Sequence, residues 1–336
     1  MQVLGVDIGF GFTKATDGRQ YQIFKSVVGE STEIQFNEPL LQANAPYARH
    51  IEVGGEGYFL GELAEAQSRG RGFTLDQSQF LQKYAQTLAL GATAPLISGN
   101  DPVRIVTGLP ISFYRKYKDT LTQLLQQRHT FNLIKPNGER EEKVISVERV
   151  RVIPQPFGSM FNLMLNDIGK PASQRFVTEK IGIIDVGFRT ADYTISDKTR
   201  YSERGSQSSD AGISLAFSAI ANALMEKSSV SVELYRLYDA VGKGSIKIKG
   251  KRYDITKLVQ QAFGGLASRI ATEVNRLWAD DWDIDAVVLT GGGGAVLAPY
   301  LQSLIEGELI PVPSDQDARL NNVTGYYKYG MHVWGS

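Results

Sequence analysis

The stretch IGIIDVGFRTADYTI, residues 181–195, carries an apolar strand straight into Asp185, Gly187 and Thr190. An ionised carboxylate after Ile181, Ile183 and Ile184 is costly unless a cation, a proton transfer or a local turn uses its charge. The opening stretch QVLGVDIGFGFTKAT repeats the pattern 178 residues earlier: Asp7-Ile8-Gly9-Phe10 aligns with Asp185-Val186-Gly187-Phe188, and Thr13 with Thr190 once one residue is dropped. Each copy reads as a β-hairpin with glycine and a hydroxyl at its tip. Two such tips in halves of similar size predict a duplicated architecture with the tips facing each other. Their carboxylates suit Mg²⁺, which dehydrates reluctantly and takes a few oxygen ligands plus phosphate. Gly9, Gly11 and Gly187 would let main-chain donors reach phosphate oxygens, Thr13 and Thr190 add hydroxyls, and Lys14 adds a positive charge. The plainer alternative is that Asp-Gly pairs make turns and nothing else.

Three further stretches bear on chemistry. Gly291 to Gly294 follow the apolar Val287, Val288 and Leu289 and open a helix; bare amides at such a junction suit a phosphate or ribose, or a tight turn. Gln155 stands between Pro154 and Pro156 at a strand end, where an amide can orient a water for attack on phosphorus or cap a helix. Lys247, Lys249, Lys251 and Arg252 lie on a hairpin turning at Gly250, which reads as a solvated edge hairpin in preference to a nucleic-acid contact.

These residues need elements to hold them. Short strands over Tyr21–Val28, His50–Val53 and Tyr58–Leu60 predict a small β-containing insertion, and residues 76–91 have helical spacing. VRIVTGLP reads as a strand, YRKYKDTLTQLLQQR as an amphipathic helix, and Pro136-Asn137-Gly138 as a hairpin turn. ERVRVIPQPFGSMFNLML reads as a strand that stops at two prolines and resumes as a helix near Gly158. GSQSSDAG reads as a polar loop opening a helix, and ITKLVQQAFGGLASRIATEVNRLW as a helix bent at Gly264-Gly265. Strands alternating with helices make this an α/β chain.

The bulk composition bounds the function. At 336 residues two domains are expected, and 42% hydrophobic with 21% charged residues is ordinary for a globular protein. A formal net charge of zero argues against unspecific attraction to nucleic acid or an anionic membrane. The absence of cysteine excludes disulfides, thiolate metal sites and a cysteine nucleophile, and the three scattered histidines, His50, His129 and His332, argue against a histidine-ligated metal. Asp7 and Lys14 interrupt the apolar start, unlike a signal peptide, and no apolar run nears the roughly 20 residues that span a bilayer. The chain is expected to be cytoplasmic and unanchored.

Taken in order, DIGFGFTK, VIPQPFG, DVGFRTAD and LTGGGG resemble the five-motif ATPase core shared by actin, sugar kinases and heat-shock chaperones: first phosphate loop, first connecting segment, second phosphate loop and adenosine loop. The closing NNVTGYYKYG resembles that core's final helix. With VTGLP and the modest length, the resemblance is nearest to bacterial, plasmid or archaeal actin-like proteins of the ParM/StbA type. Many of those have glutamate where Gln155 stands.

The resemblance implies a two-domain actin-like ATPase fold, duplicated ribonuclease H-like domains with an interdomain nucleotide cleft. The first domain would span 1–156, with a small insertion about residues 30–100 and completion by a C-terminal helix over 320–336; the second would span 157–319. It implies ATP, or GTP, as cofactor with Mg²⁺. Asp7 and Asp185 would act in catalysis and in the metal shell, and Asp192 would support the second hairpin or that shell. Gly9, Gly11, Phe12, Thr13, Lys14, Gly187, Phe188, Arg189 and Thr190 would form the phosphate loops, with Gly212 bordering the nucleotide and Gly291, Gly292 and Gly293 cradling the adenosine. Gln155 would position the attacking water, and Glu233 and Arg236 lie on a helix suited to the base. The function implied is nucleotide-dependent filament assembly in DNA segregation or positioning, with self-association and an adaptor protein as partners. A sugar-type kinase or a low-turnover nucleotide-binding scaffold are the alternatives on the same fold.

Overall fold

The strand Gln2–Ile8 is buried along its whole middle, Val3 to Asp7, because it lies inside a sheet with a neighbour on each side. In the computed structural model, the described residues are all except 33–48, 74, 100, 136, 314 and 336. The chain divides into two compact units: Met1–Leu109, Phe113–Ala172 and Asn322–Ser336 form one, Pro110–Ser112 and Ser173–Asn321 the other.

The first unit is built on a ten-stranded sheet. Its functional end has the neighbour order Tyr21–Lys25, Phe12–Thr16, Gln2–Ile8, Val103–Leu109, Arg140–Pro154. The first three strands are antiparallel and the last three run parallel. Beyond them the sheet continues through Arg128–Ile134, His50–Val53, Glu56–Leu60, Val28–Glu30 and Arg71–Gly72, so the described strands of the expected insertion extend the same sheet. Residues 33–48, 74 and 100 of that insertion, and Pro136 of the expected turn, lie outside the described residues; Gly138 does turn, at φ 81°.

The core of this end is Val106, Ile153, Phe157 and the fully buried Tyr326 of the final helix Asn321–Trp334. That helix crosses the first strand at Gly5, where any Cβ would collide with the Val323 carbonyl. It meets the helix Pro156–Met164 where Gly325 and Gly158 touch backbone to backbone, and Asn322 Oδ1 accepts from Ser159 N at 2.9 Å and Ser159 Oγ at 2.7 Å. These contacts hold Pro156–Met164 in the first unit, whereas the sequence reading starts the second domain at residue 157.

The second unit repeats the pattern in five strands: Arg200–Ser209, Ala191–Asp197, Lys180–Val186, Ala286–Thr290, Leu309–Pro311, again three antiparallel and then parallel. The helices Ile213–Ser228, Thr256–Leu277 and Gly291–Leu301 pack in succession beside it.

Two local expectations differ from the structure. Residues 76–91 form two helices, Gln77–Lys83 and Ala85–Thr93, parted at Tyr84, which leaves helical geometry at φ −122°. GSQSS belongs to the strand Arg200–Ser209: Thr194 and Ser206 share a hydroxyl bond of 2.6 Å, so neighbouring side chains satisfy its polar groups. The helix Thr256–Leu277 carries Gly264-Gly265 within one continuous span, as expected of a single helix. Among the described residues no helix is long and apolar enough to cross a membrane.

Candidate functional site

In the first unit, Asp7 ends its strand almost fully buried and faces Lys14 across the hairpin. Lys14 Nζ lies 2.8 Å from Asp7 Oδ2, so the buried carboxylate is neutralised by its cross-strand neighbour. The turn is folded back on itself: Gly9 N–H donates to Phe12 O at 3.2 Å, Ser26 N–H to Gly11 O at 2.9 Å, and Ser26 Oγ to Gly9 O at 2.5 Å. Thr13 Oγ1 is 2.8 Å from Ser26 Oγ, a bond inside this unit. A Cβ on Gly9 would lie 2.9 Å from Phe12 O and 3.3 Å from Lys14 Nζ, so only glycine keeps the backbone open beside that ammonium. Phe12 is half-buried, on the strand that pairs it with Lys25.

Gln155 reaches the same sheet edge from another strand. Val6, Thr107 and Val152 stand in register on three neighbouring parallel strands, so Asp7, Gly108 and the Pro154–Gln155 step follow at their carboxyl ends. Two strand spacings and the two residues by which Gln155 lies beyond Ile153 put Asp7 and Gln155 roughly 12 Å apart. Gln155 N–H donates to Leu109 O at 2.8 Å and its carbonyl accepts from Gly158 N at 2.9 Å, which locks its backbone at the start of Pro156–Met164 while its side chain stays half-buried. Gly108 is required there, because a Cβ would collide with the Tyr326 hydroxyl and sit 3.2 Å from Gln155 Cα.

In the second unit Asp185 is equally buried, opposite Asp192 and beside Thr290. The Asp192 carboxylate is taken up by its own unit. Oδ1 accepts from Ile111 N at 2.9 Å and from Ser208 Oγ, and Oδ2 accepts from Thr190 Oγ1 at 3.1 Å. Burial pushes its pKa above the ordinary aspartate value, against the pull of those three donors. Gly187 N–H closes the turn on Thr190 O at 2.9 Å.

The helix Ile213–Ser228 buttresses this hairpin with its first amides, Ile213 N to Gly187 O at 3.0 Å and Ser214 N to Phe188 O at 2.8 Å. Gly212 fits because a Cβ would overlap the Phe188–Arg189 backbone. Gly212 therefore acts by close packing of helix on hairpin. Phe188 is in the apolar core, its ring 5.4 Å from Tyr238 and 6.0 Å from Phe217, and Arg189 lies 3.8 Å from Asp210.

Gly291 has φ 81°, a left-handed backbone, and a Cβ would collide with the Asp185 carboxylate and the Val186 carbonyl. Gly293 is equally crowded by Val186, and Gly292 lies under Arg319, 3.1 Å from its Cγ. The four glycines form the first turn of Gly291–Leu301, with no loop before it. Asn321 Nδ2 donates to Thr290 Oγ1 at 3.1 Å just before that turn.

The two turns are of equal length. Asp7 faces Lys14 and Asp185 faces Asp192, while Gly9 bonds to Phe12 and Gly187 to Thr190. Thr190 thus corresponds to Phe12, Ala191 to Thr13 and Asp192 to Lys14, and the alignment that drops a residue to match the threonines is corrected.

The structure brings Asp7, Gly9, Gly11, Phe12, Thr13, Lys14 and Gln155 to one edge of the first sheet. It brings Asp185, Gly187, Thr190, Asp192 and Gly291 to Gly293 to the corresponding edge of the second. Glu233 and Arg236 pair with each other at 3.3 Å on the short helix Leu234–Arg236 and its cap. Sequence reasoning gave no individual role to Ser26, Ser208, Arg319 and Tyr326, which reach Gly9, Asp192, Gly292 and Gly108 from distant positions. Among the described residues no group of three or more His, Cys, Asp or Glu side chains could hold a metal by itself.

Comparison with known proteins matches both units. A family model described as "Actin like proteins N terminal domain" covers residues 5–158, and one described as "Archaeal actin homologue MreB-like, C-terminal" covers residues 183–303. A search of curated proteins finds no significant match. Among solved structures, the chain is similar to a ParM from a 15-stranded filament of Clostridium botulinum (22% identity, 98% of each chain, TM-score 0.82). It is similar also to Ta0583, an archaeal actin homologue in complex with ADP (19% identity, 97% of this chain and 98% of that one, TM-score 0.78). A third is Bacillus thuringiensis ParM with ATP (17% identity, 100% of each chain, TM-score 0.72). Likeness over the whole length shows the two-domain actin-like fold.

Proposed function

Because this chain belongs to the actin-like proteins, we propose that it is a nucleoside-triphosphatase whose nucleotide state governs its assembly into filaments. One observation carries this reading: each unit ends its central strand in a buried aspartate followed by a glycine turn of the same length and closure. A turn of this kind is suited to phosphate oxygens, and its duplication suits a polyphosphate. Gly9 and Gly187 keep backbone open at the two turns, Lys14 supplies positive charge, and the helix start at Gly291 to Gly293 would accept the nucleoside side of ATP or GTP.

A magnesium ion would fit on the nucleotide, taking phosphate and water for most of its shell, with Asp7 and Asp185 as the hard oxygens of the chain. Bound there, it would offset charge on the transferred phosphoryl group. Asp192 is spent on Ile111, Ser208 and Thr190, which supports the hairpin-bracing role. Gln155, on a backbone locked by Leu109 and Gly158, would orient the attacking water through its amide.

Change of nucleotide in such a chain alters the surfaces that copies share, and a head-to-tail contact that does not close gives an open polymer. The cellular role we propose is positioning or segregation of DNA in the cytoplasm, with an adaptor protein gripping the DNA. The test is sedimentation of the purified protein with Mg²⁺ and ATP, GTP, ADP or a non-hydrolysable analogue, with phosphate release followed in parallel. Pelleting that depends on the triphosphate is expected; a soluble protein whose ADP production rises with added sugar would replace the reading with a kinase. Gln155→Ala should slow phosphate release by about tenfold to a hundredfold with nucleotide affinity unchanged. Affinity lost in step with turnover would remove Gln155 from the water-positioning role.

A further inference from the structure

The second unit carries two surface features at opposite ends of one helix that the nucleotide site does not use. Thr256–Leu277 is 22 residues long, about 33 Å at 1.5 Å per residue. Its buried face, including Phe263, Leu266, Ile270 and Val274, fixes it against the rest of the unit.

Just after the helix, the turn ADDWDID presents Trp282 at 89% exposure. The turn is firmly braced from below. The Asp281 side chain is buried and held by Lys180 Nζ at 2.9 Å and by Arg204, and Lys180 N–H donates to Asp285 Oδ2 at 2.8 Å. Trp278 Nε1 donates to Gly205 O at 2.9 Å beneath it. A tryptophan that folding leaves in water, on a turn that folding has stiffened, loses little entropy on binding. Beside it, exposed Asp280 makes no ion pair among the described residues.

Just before the helix stands the hairpin Ser245–Ile248 and Lys251–Asp254, whose tip Lys249-Gly250 has φ 47° and 83°. Lys247 and Arg252 are directly opposed across it, an arrangement of like charges that works against the fold. Lys247, Lys249, Lys251 and Arg252 are all exposed, and none has a carboxylate partner among the described residues.

The geometry points to a contact between copies of this chain: we propose that the Trp282 turn of one molecule docks on the Lys247–Arg252 hairpin of the next. The two features are complementary in charge. A helix of about 33 Å separates them, several times the Debye length of about 8 Å at physiological salt, so they do not neutralise each other within one molecule. A contact joining different patches is heterologous, and it propagates wherever it does not close into a ring. This rests on the assembly reading above and names the residues that would carry it.

The chain has no cysteine, so cross-linking tests the contact directly. Trp282→Cys and Lys249→Cys proteins are mixed with Mg²⁺ and ATP and oxidised. The mixture should give disulfide-linked dimers several-fold above either variant alone; equal yield from one variant alone overturns the proposal. In sedimentation, Trp282→Ala and Lys249→Glu should each raise the critical concentration about tenfold without changing the melting temperature or nucleotide affinity. Asp280→Lys added to Lys249→Glu should recover part of that loss. If the wild type pellets with no nucleotide, the assembly reading fails. If it pellets and Trp282→Ala pellets at the same concentration, this contact alone fails. Loss of DNA binding with unchanged pelleting in Lys249→Glu would reassign the hairpin to nucleic acid.

Discussion

The Asp7 and Asp185 hairpins share a backbone and differ in the side chain that faces the aspartate. In the first, Lys14 neutralises Asp7 at 2.8 Å; in the second, Asp192 places another buried carboxyl opposite Asp185. The second arrangement would be repulsive on its own. Donors from Ile111, Ser208 and Thr190 offset it. One position in a duplicated turn has thus become a charge carrier in one unit and an anchor in the other. The backbone geometry needed at the turn is set by glycine and register, which leaves the facing residue open to divergence.

The largest expected effect falls on chemistry. Asp185→Ala should reduce phosphate release by about a hundredfold or more with little loss of stability, because the change removes a polar end group and leaves the apolar strand intact. Phosphate release and thermal melting measured together check it, and near-normal turnover would show that the carboxylate has another role. Lys14→Met should instead cost about 3–5 kcal/mol in urea unfolding, since it strands the buried Asp7 charge. Asp7→Asn in the same chain should recover most of that stability and none of the nucleotide affinity, separating the ion pair from phosphate binding.

Asp192→Ala should cost less, about 1–3 kcal/mol, as Ile111 N–H loses its acceptor. Asp192→Asn, which keeps an acceptor oxygen, should lie nearer the wild type. The smallest effect is on pH dependence. Asp192 has its pKa raised by burial, so the folded state binds its proton more tightly than the unfolded state. Its contribution to stability is therefore fullest below the ordinary aspartate value and falls as pH rises through the raised one. Wild-type unfolding free energy should gain on that of Asp192→Asn as pH is lowered into this window; a gap that does not vary with pH would show the two pKa values to be alike.

Much of this arrangement is legible in the linear sequence. The apolar strands, the aspartates that end them, the glycines after them and the strand–glycine–helix junction at Gly291 are local patterns, and the fold follows from their order. The register of the hairpins is not. Matching Thr13 to Thr190 follows residue identity, whereas the pairing of Gly9 with Phe12 and of Gly187 with Thr190 follows backbone closure. Phe188 looks like part of a phosphate turn in the sequence, yet its ring packs with Phe217 and Tyr238. GSQSS looks like a loop because the groups that satisfy its serines are brought by a neighbouring strand.

What the chain carries in its own order of residues is periodicity and punctuation: where strands run, where glycine permits a turn, which charges sit at strand ends. These depend on near neighbours, so a linear reading reaches them. Which side chains those turns meet was decided by packing between distant segments, as when Ser26 bonds to Gly9, Ser208 to Asp192, and Gly325 closes on Gly158. Close packing and hydrogen-bond satisfaction act on neighbours in space, and only folding makes those neighbours.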